Sequence, residues 1–309
     1  GIDINLQVVD TENDSSKVEK IIQDFDFSSL DFIIGPLYQG MFSLVSKKAN
    51  EYKIPIISPV PVSKKMLLSS PYTFKAFPSK ASQHAFIKAY ICEKYPNEKL
   101  LVIDSKDKYK GFAKGLMRQY DKVSTKNVLP SDTAQYFSMW KIDVGRVSKN
   151  YSPLKKNVIV VLSDKKSFVT EVLTKLYLSS SSKDVIVFGE DKWSNFTFLD
   201  VNYLERLNVH IPKSQNLSDT TLLGLKLALK TKGGELDKYS ISGYNSCMFL
   251  GELISSYSIH AMSYANSLFK GIGMNFNFAQ KGEENGYENR SEEHTSELQS
   301  HSDLVCRLL

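Results

Sequence analysis

Catalytic sequence motifs are largely missing from this 309-residue chain. It contains no GxSxG, HExxH or GxxxxGK pattern, and His84, His210 and His260 stand apart from carboxylates in the sequence. The sequence therefore offers no suitable set of residues for nucleophilic, zinc-dependent or phosphate-loop catalysis. We expect a protein that is not an enzyme, with no catalytic residues, no cofactor and no metal site.

Long apolar runs are also missing, since no stretch approaches the ~20 apolar residues that cross a bilayer. We therefore expect no membrane-spanning segment. Positive charge comes mainly from Lys spread along helices and loops, while Arg is scarce, so we expect no nucleic-acid partner. Cysteines number three. Cys92 and Cys247 lie in apolar helical stretches, which predicts buried thiols and leaves a disulfide between them open.

The last twenty residues, 290–309, differ from the rest because they are polar and have no clean period. Their opening, "RSEEHTSELQS", resembles the in-frame translation of a sequencing-library adapter. We interpret 290–309 as an artefact and exclude it from fold reasoning; the alternative is a natural disordered tail. Two Arg against three Glu and one Asp give the tail a charge of −2, so the printed +5 becomes +7 for the remainder.

Residues 31–61 contain two strand-like runs separated by an amphipathic helix. Phe32, Ile33 and Ile34 form a short apolar run that ends at Gly35-Pro36. From Met41 to Tyr52 the apolar residues recur every three or four positions, which predicts a one-sided helix, and a second strand follows over 54–57. This order predicts a parallel βαβ unit, whose strands have ligand-binding residues at their carboxyl ends.

Strands and helices alternate along the remaining chain. The run "LLVID" predicts a strand, and the continuously apolar runs in "NVIVVL" and "DVIVFG" are as expected for strands buried on both faces. Helical stripes follow them, and two long helices are predicted between about residues 220 and 257, separated at "KGGELDKYS". The pattern predicts an α/β protein with parallel sheets in two similar lobes.

The ordered blocks "DFIIGPLYQG", "ANEYKIPIISP", "PYTFKAFPS", "KLLVIDSKDKYKGFAKGL", "NVIVVLSDKKSFVTEVL", "VIVFGEDKW" and "YSISGYNS" resemble the type I periplasmic binding-protein fold. More narrowly, they resemble branched-chain amino-acid receptors of ABC transporters and envelope proteins that join this module to LysM peptidoglycan-binding repeats. The resemblance covers nearly all of residues 1–289. It implies two Rossmann-like lobes joined by a three-crossing hinge.

The resemblance also implies the division of the chain between these lobes. We expect residues 1–74 and 214–270 in the first lobe, 75–213 and 271–289 in the second, and a last return near Gly271. "INLQVVDTEND" is similar to the second strand and loop of the family. We therefore expect an N-terminally truncated first lobe that lacks its first strand and helix, with any signal or anchor lost at the same end.

The family closes two lobes on a small molecule, using helix N-termini, hydroxyls and an aromatic wall. The free N–H groups and dipole of a helix start suit an anionic group. Carried over position by position, the ligand-binding residues implied by the resemblance are Tyr38, Gln39, Ser58, Val60, Ser105, Tyr109, Ser163, Asp164, Asp191 and Trp193.

Each of these residues also has a structural interpretation. Tyr38 and Trp193 suit a covering role as well as ligand stacking, and Ser163 with Asp164 suits a helix cap. Gln39 stands where amino-acid receptors carry Ser or Thr, and Val60, Pro61 and Val62 stand where they carry a small residue and Thr. Three apolar residues offer a carboxylate no side-chain hydroxyl, so we expect another ligand or an interaction scaffold.

The sequence therefore predicts a non-catalytic solute-binding protein of the ABC-transporter type, periplasmic or associated with the outer membrane. Its partners would be a small molecule in the interlobe cleft and a membrane transporter or peptidoglycan. The alternative is an envelope or peptidoglycan-associated scaffold that uses the same fold without a small ligand.

Overall fold

The computed structural model describes residues 4–105, 107–124, 134–139, 141–179, 185–197, 199–216 and 220–291. These residues form two compact units. The first contains residues 4–82 and 214–291, and the second contains residues 83–213. No helix in these ranges is both long and apolar enough to cross a membrane.

The second unit is built on a five-stranded parallel sheet in the order β5-β4-β6-β7-β8. All residues of β4 and β6 are buried, which explains why positions 100–103 and 158–162 of these strands are continuously apolar instead of alternating. The elements are α3 (Lys80–Lys94), β4 (Lys99–Asp104), α4 (Lys110–Val123), β5 (Gln135–Ser138), α5 (Val144–Ser148), β6 (Asn157–Leu162), α6 (Lys166–Ser179), β7 (Val185–Phe188), α7 (Val201–Arg206) and β8 (Val209–His210).

Successive residues of these strands supply two cores, one on each face of the sheet. Leu101 and Ile159 pack with the buried side chains of α6, whereas Leu100 and Val158 pack with those of α3 and α4. Side chains alternate between the two faces of a strand, so a continuous apolar run fills both cores. The parallel α/β class predicted for this half of the chain is confirmed.

The first unit contains a six-stranded sheet in the order β1-β2-β3-β11-β10-β9. Strands β1, β2, β3 and β11 are parallel, and β10 is antiparallel to both of its neighbours. The elements are α1 (Ser15–Asp24), β1 (Ile33–Ile34), α2 (Gln39–Glu51), β2 (Ile56–Ser58), β3 (Thr73–Lys75), α8 (Leu222–Thr231), α9 (Lys238–Tyr257), β9 (Leu268–Phe269), β10 (Phe276–Gln280) and β11 (Tyr287–Asn289). The predicted helix between two parallel strands at 31–61 is confirmed.

Residues 271–289 lie in the first unit, not in the second lobe as the sequence predicted. Strand β11 pairs in parallel with β3, placing Tyr287 opposite Phe74, and β10 continues the same sheet as a hairpin with β11. The ring of Tyr287 stacks on that of Phe74 with centroids 4.7 Å apart. The predicted return near Gly271 is therefore wrong for this structure. The first change of unit lies after Ser82 instead of near residue 74, and the second lies between Lys213 and Ser214.

Two other sequence predictions need adjustment. Residues 4–9, read as a strand, lie outside both sheets, since they pair with no strand in the described ranges. Cys92 and Cys247 are free, and Cys247 is only partly buried, so the disulfide left open by the sequence is not formed. The artefact interpretation of 290–309 falls almost wholly outside the described residues, because only Arg290 and Ser291 are included.

Candidate functional site

Two serines meet where strands β4 and β6 end. Ser105 and Ser163 directly follow these neighbouring parallel strands, and the Ser105 hydroxyl donates to Ser163 Oγ at 2.9 Å. Ser163 Oγ also accepts from the Lys165 amide at 3.2 Å, so it caps the start of the helical segment leading into α6. Both serines are buried, and their hydroxyls join the ends of two strands.

Trp193 lies beside these serines in the loop after β7. Its side chain is 1% exposed within the core that faces α6, and its indole N–H donates to the Ser163 carbonyl at 2.8 Å. A Cβ added to Gly189 would lie 2.3 Å from the indole ring, so the ring packs directly against the glycine backbone. In this conformation Trp193 offers no surface to a ligand and instead supports Ser163.

Asp164 and Asp191 present carboxylates at the same edge of the sheet. Asp164 pairs with Lys108 at 3.0 Å and Lys192 at 3.6 Å, and its side chain is 23% exposed. The Asp191 carboxylate accepts a hydrogen bond from the Gln83 amide at 3.3 Å. Four separate chain segments therefore bring polar groups to this edge, as expected for the carboxyl ends of parallel strands.

Tyr109 is the N-cap residue of α4 and has no side-chain capping bond. Its amide donates at 2.9 Å to Oδ2 of Asp104, the last residue of β4, which the sequence analysis did not select. Burial raises the pKa of Asp104, and hydrogen bonds from the Tyr109 amide and the Tyr136 hydroxyl only partly offset this effect. The buried Oδ1 atom of Asp104 has no hydrogen-bond partner among the described residues.

His84 and Glu190 form a second polar pair that the sequence did not reveal. His84 Nε2 lies 3.1 Å from Glu190 Oε1, and both side chains are buried. The His84 ring stacks on Phe112 and meets Tyr109 edge-on. Because 106 residues separate the two partners, no local spacing could indicate the pair. The only feature of the sequence that indicated this pair is the position of Glu190 directly after the apolar run "VIVFG".

Tyr38 and Gln39 stand at the start of α2 in the first unit, after the Gly35-Pro36 turn. Gly35 has a φ of +87°, which favours glycine at this point of the turn. Tyr38 is 56% exposed and provides no side-chain cap for the helix. Gln39 Oε1 accepts from the Ser63 amide at 3.0 Å, which ties the start of α2 to the loop after β2.

Ser58 ends β2 and Val60 lies in the loop after it, and both side chains are buried. The Ser58 side chain is fully buried, and its hydroxyl donates to the Val60 carbonyl at 3.0 Å. Val60 and Val62 are buried as well. Side-chain hydroxyls for a ligand carboxylate are therefore not presented here, in agreement with the expectation from the sequence.

An ion cluster lies beside this loop on strands β3 and β11. Lys75 and Glu288 occupy paired positions, and their charged groups are 4.0 Å apart with side chains 2% and 3% exposed. Glu288 also pairs with Lys64 at 2.8 Å and accepts from the Ser79 amide at 2.7 Å. No local spacing in the sequence links Glu288 to Lys64 and Lys75, so the sequence did not indicate this cluster.

The structure therefore groups the ten predicted residues by unit. Those at one edge of the second sheet are Ser105, Tyr109, Ser163, Asp164, Asp191 and Trp193, and those at the strand ends of the first unit are Tyr38, Gln39, Ser58 and Val60. No cluster of His, Cys, Asp and Glu suited to a metal ion occurs in the described ranges.

Comparison with known proteins identifies the family of this chain. The model of the receptor family ligand binding region matches residues 1–258. The chain belongs to this family. No curated protein matches the sequence.

Several solved structures similar to this chain are described as substrate-binding proteins of ABC transporters. One from Desulfitobacterium hafniense has a TM-score of 0.56 at 15% identity, covering 91% of this chain and 82% of its own. A structure from the same organism in complex with Leu has a TM-score of 0.53 at 16% identity, with coverage of 90% and 82%.

A third similar structure is a putative branched-chain amino-acid ABC transporter protein from Rhodospirillum rubrum. It has a TM-score of 0.60 at 12% identity, with coverage of 90% and 86%. At these identities the likeness establishes the type I periplasmic binding-protein fold for this ligand-binding region.

Proposed function

We propose that the chain is a non-catalytic solute-binding protein of the ABC-transporter type that closes its two lobes on a small molecule. The observation that carries the proposal is the helix start at α2. This helix follows the parallel strand β1, and its N-cap residue, Tyr38, provides no side-chain cap. First-turn amides without such a cap suit an anionic group.

Each unit would contribute differently to ligand binding. In the first unit, the Ser58 hydroxyl donates to the Val60 carbonyl, so the backbone of α2 and the exposed ring of Tyr38 are left as ligand contacts. In the second unit, Asp164 and Asp191 present carboxylates. We propose that an anionic part of the ligand meets α2, and that a polar or cationic part meets the second unit.

Location and partners follow from the same proposal. A solute-binding protein of this type would act outside the cytoplasm, in the periplasm or at the outer membrane. We propose that it delivers its ligand to a membrane transporter or lies against peptidoglycan, as its resemblance to LysM-linked envelope proteins implies.

A scaffold without a small ligand is the second candidate, and the Ser58 to Val60 bond favours it. Because of this bond and the burial of Val62, the loop after β2 presents no side-chain hydroxyl from Ser58 or position 62 to a ligand, unlike the loop of a receptor that binds its ligand with hydroxyls. The two candidates differ in whether any small molecule stabilises the folded chain.

Thermal unfolding of the purified chain with amino acids, small peptides and cell-wall fragments separates these candidates. A ligand at a hundred times its dissociation constant adds ~2.7 kcal/mol to the free energy of unfolding. A saturable rise in the midpoint with one ligand class would support solute binding and identify that class. An unchanged midpoint with every class, in a chain that unfolds cooperatively, would favour the scaffold.

A further inference from the structure

Helix α8 exposes two leucines on the surface of the first unit. Leu223 is 61% exposed and Leu227 is 56% exposed, and the two residues lie one helical turn apart on the same side of the helix. A Cβ added to Gly224 would meet no atom within 4 Å, so open space lies beside the leucines. The outer face of α8, formed by these three residues, is therefore apolar and uncovered in the described part of the chain.

The opposite face of α8 fixes the helix on its own unit. Leu222 is buried, and Leu225 packs against the same core. A Cβ added to Gly273, in the loop before β10, would lie 3.0 Å from the Leu222 side chain. The Asn216 amide, before α8, donates to the Gly273 carbonyl at 2.8 Å. Helix α8 therefore begins near the β10 end of the sheet, opposite to β1, where the first strand expected from the sequence would pair.

Positive charge accompanies the two leucines. The stretch 220–234 contains no acidic residue and three lysines, which are Lys226, Lys230 and Lys232. All three lysines are exposed, and none has an ion pair within the described ranges. A lysine in the last turn suits the dipole of the helix C-terminus, but Lys226 lies in the middle of α8. The charge beside the outer face is therefore available to an anionic partner.

The size and chemistry of this face indicate the kind of partner. Two leucines one turn apart offer far less surface than the roughly 800 Å² that each partner buries in a stable protein interface. Arg contacts and stacked aromatic rings are typical of nucleic-acid binding, and the stretch 220–234 contains neither residue type. An anionic bilayer requires neither, because leucines enter its headgroup boundary while flexible lysine stems keep their ammonium groups among the phosphates.

We propose that the outer face of α8 binds reversibly to the surface of a bilayer that contains anionic lipid. Leu223 and Leu227 would enter the boundary between headgroups and acyl chains, and the three lysines would meet lipid phosphates. Each lysine near an anionic membrane strengthens binding about fivefold, so three lysines give about a hundredfold and a weak, salt-sensitive association. This interaction goes beyond the proposed solute binding, because it requires no small ligand.

Sedimentation of the full chain with lipid vesicles tests this proposal. One set of vesicles contains phosphatidylcholine alone, and the other contains equal parts of phosphatidylcholine and phosphatidylglycerol. We expect binding to the anionic vesicles only, weakened by about tenfold or more at high ionic strength. Absence of binding, or equal binding to both sets, would overturn the proposal. Duplex DNA that competes as strongly as the anionic vesicles would overturn it as well, because charge alone would then explain the affinity.

Two matched pairs of variants locate the membrane-binding face. Lys226→Gln and Lys149→Gln each remove one exposed positive charge, but only the first lies on α8. Leu227→Ser and Leu178→Ser each remove one exposed leucine, and Leu178 lies near the end of α6 in the second unit. All four side chains are exposed, so the variants should fold, which circular dichroism checks. We expect about fivefold weaker vesicle binding for each α8 variant and no more than about a twofold change for each control, and equal losses within a pair would contradict the proposal.

Leu227→Trp then distinguishes insertion into the bilayer from adsorption by charge. A lipid with a nitroxide group on its acyl chain quenches the fluorescence of an indole that reaches the acyl-chain boundary. The quenching is compared with that of the unsubstituted chain, which has two tryptophans of its own, and with that of Leu178→Trp. We expect additional quenching for Leu227→Trp only. Equal quenching of the three proteins at saturating anionic vesicles would show that α8 does not enter the bilayer and would overturn the proposal.

Discussion

Replacement of Trp193 separates support of the fold from contact with a ligand. The side chain is 1% exposed, and its indole N–H donates to the Ser163 carbonyl at 2.8 Å. Trp193→Phe removes this donor and leaves a buried carbonyl without it, at a cost of about 1–3 kcal/mol. Trp193→Ala also empties the volume of the ring and should cost about 3–5 kcal/mol.

Gly189 provides an internal check on this packing. Its added Cβ would lie 2.3 Å from the indole ring, so Gly189→Ala should force the ring or the loop to move, at a cost of about 1–3 kcal/mol. In the Trp193→Ala background that clash is absent, so the same glycine substitution should cost almost nothing. The double-mutant cycle should therefore show strong coupling.

Urea unfolding followed by circular dichroism measures these costs. Tyr38→Phe is a suitable control, because Tyr38 is 56% exposed and the change should alter stability by less than about 0.5 kcal/mol. The reasoning is refuted if Trp193→Phe unfolds at the wild-type midpoint, or if Gly189→Ala costs the same with and without the indole. Weaker ligand binding at unchanged stability would instead make Trp193 part of an aromatic wall.

Three further predictions concern other residues of the two units. Burial alone would raise the pKa of Glu288. Hydrogen bonds from Lys64 and Ser79 and the charge of Lys75 outweigh this effect and hold the pKa of Glu288 below its usual range. Its ionised form therefore contributes stability above the unfolded pKa of about 4.3 that is lost as pH falls. Glu288→Gln should cost about 3 kcal/mol at pH 7, measured by urea unfolding, because it removes the negative charge that lies beside buried Lys75. An equal cost at low pH would contradict this reasoning. Burial raises the pKa of Asp104, so the folded state binds more protons than the unfolded state. Wild-type stability should therefore fall as pH rises past the unfolded pKa of this carboxyl group. In thermal unfolding Asp104→Asn should flatten this pH dependence, and an unchanged slope would argue against the reasoning. Tyr38→Ala should leave the unfolding midpoint nearly unchanged. In a calorimetric titration the same variant should bind the stabilising ligand about tenfold more weakly, as for one lost aromatic contact. Full affinity would show that Tyr38 does not contact the ligand.

The parallel core of each unit could be predicted because local pattern and burial agree there. In "NVIVVL" the side chains after Asn157 alternate between two buried faces, so each of them is apolar and the strand is evident without its partners. The helix between β1 and β2 was equally clear, since Met41, Val45 and Ala49 recur on one buried face.

Pairings over long sequence separations could not be predicted. Strand β11 has only three residues, and its Glu288 is buried because Lys75 and Lys64 neutralise it, so "YEN" looks like an exposed loop. His84 and Glu190 meet only because α3 and the end of β7 lie together in the folded unit. The segment 4–9 has the alternation of a strand, but a strand also needs a partner, which sequence alone does not supply.

The most direct test of solute binding is a calorimetric titration of the stabilising ligand into three forms of the chain. Gln39→Ala removes a side chain whose oxygen binds the Ser63 amide, whereas Gln39→Pro also removes the first amide of α2. Proline is tolerated at the first helical position, and the extended conformation of Tyr38 before it, with ψ of 129°, is compatible. We expect one ligand per chain, near-native affinity for Gln39→Ala, and a further loss of about tenfold for Gln39→Pro. Equal affinities for the two variants would contradict anion binding at the start of α2, and no binding heat for any small molecule would contradict the solute-binding function.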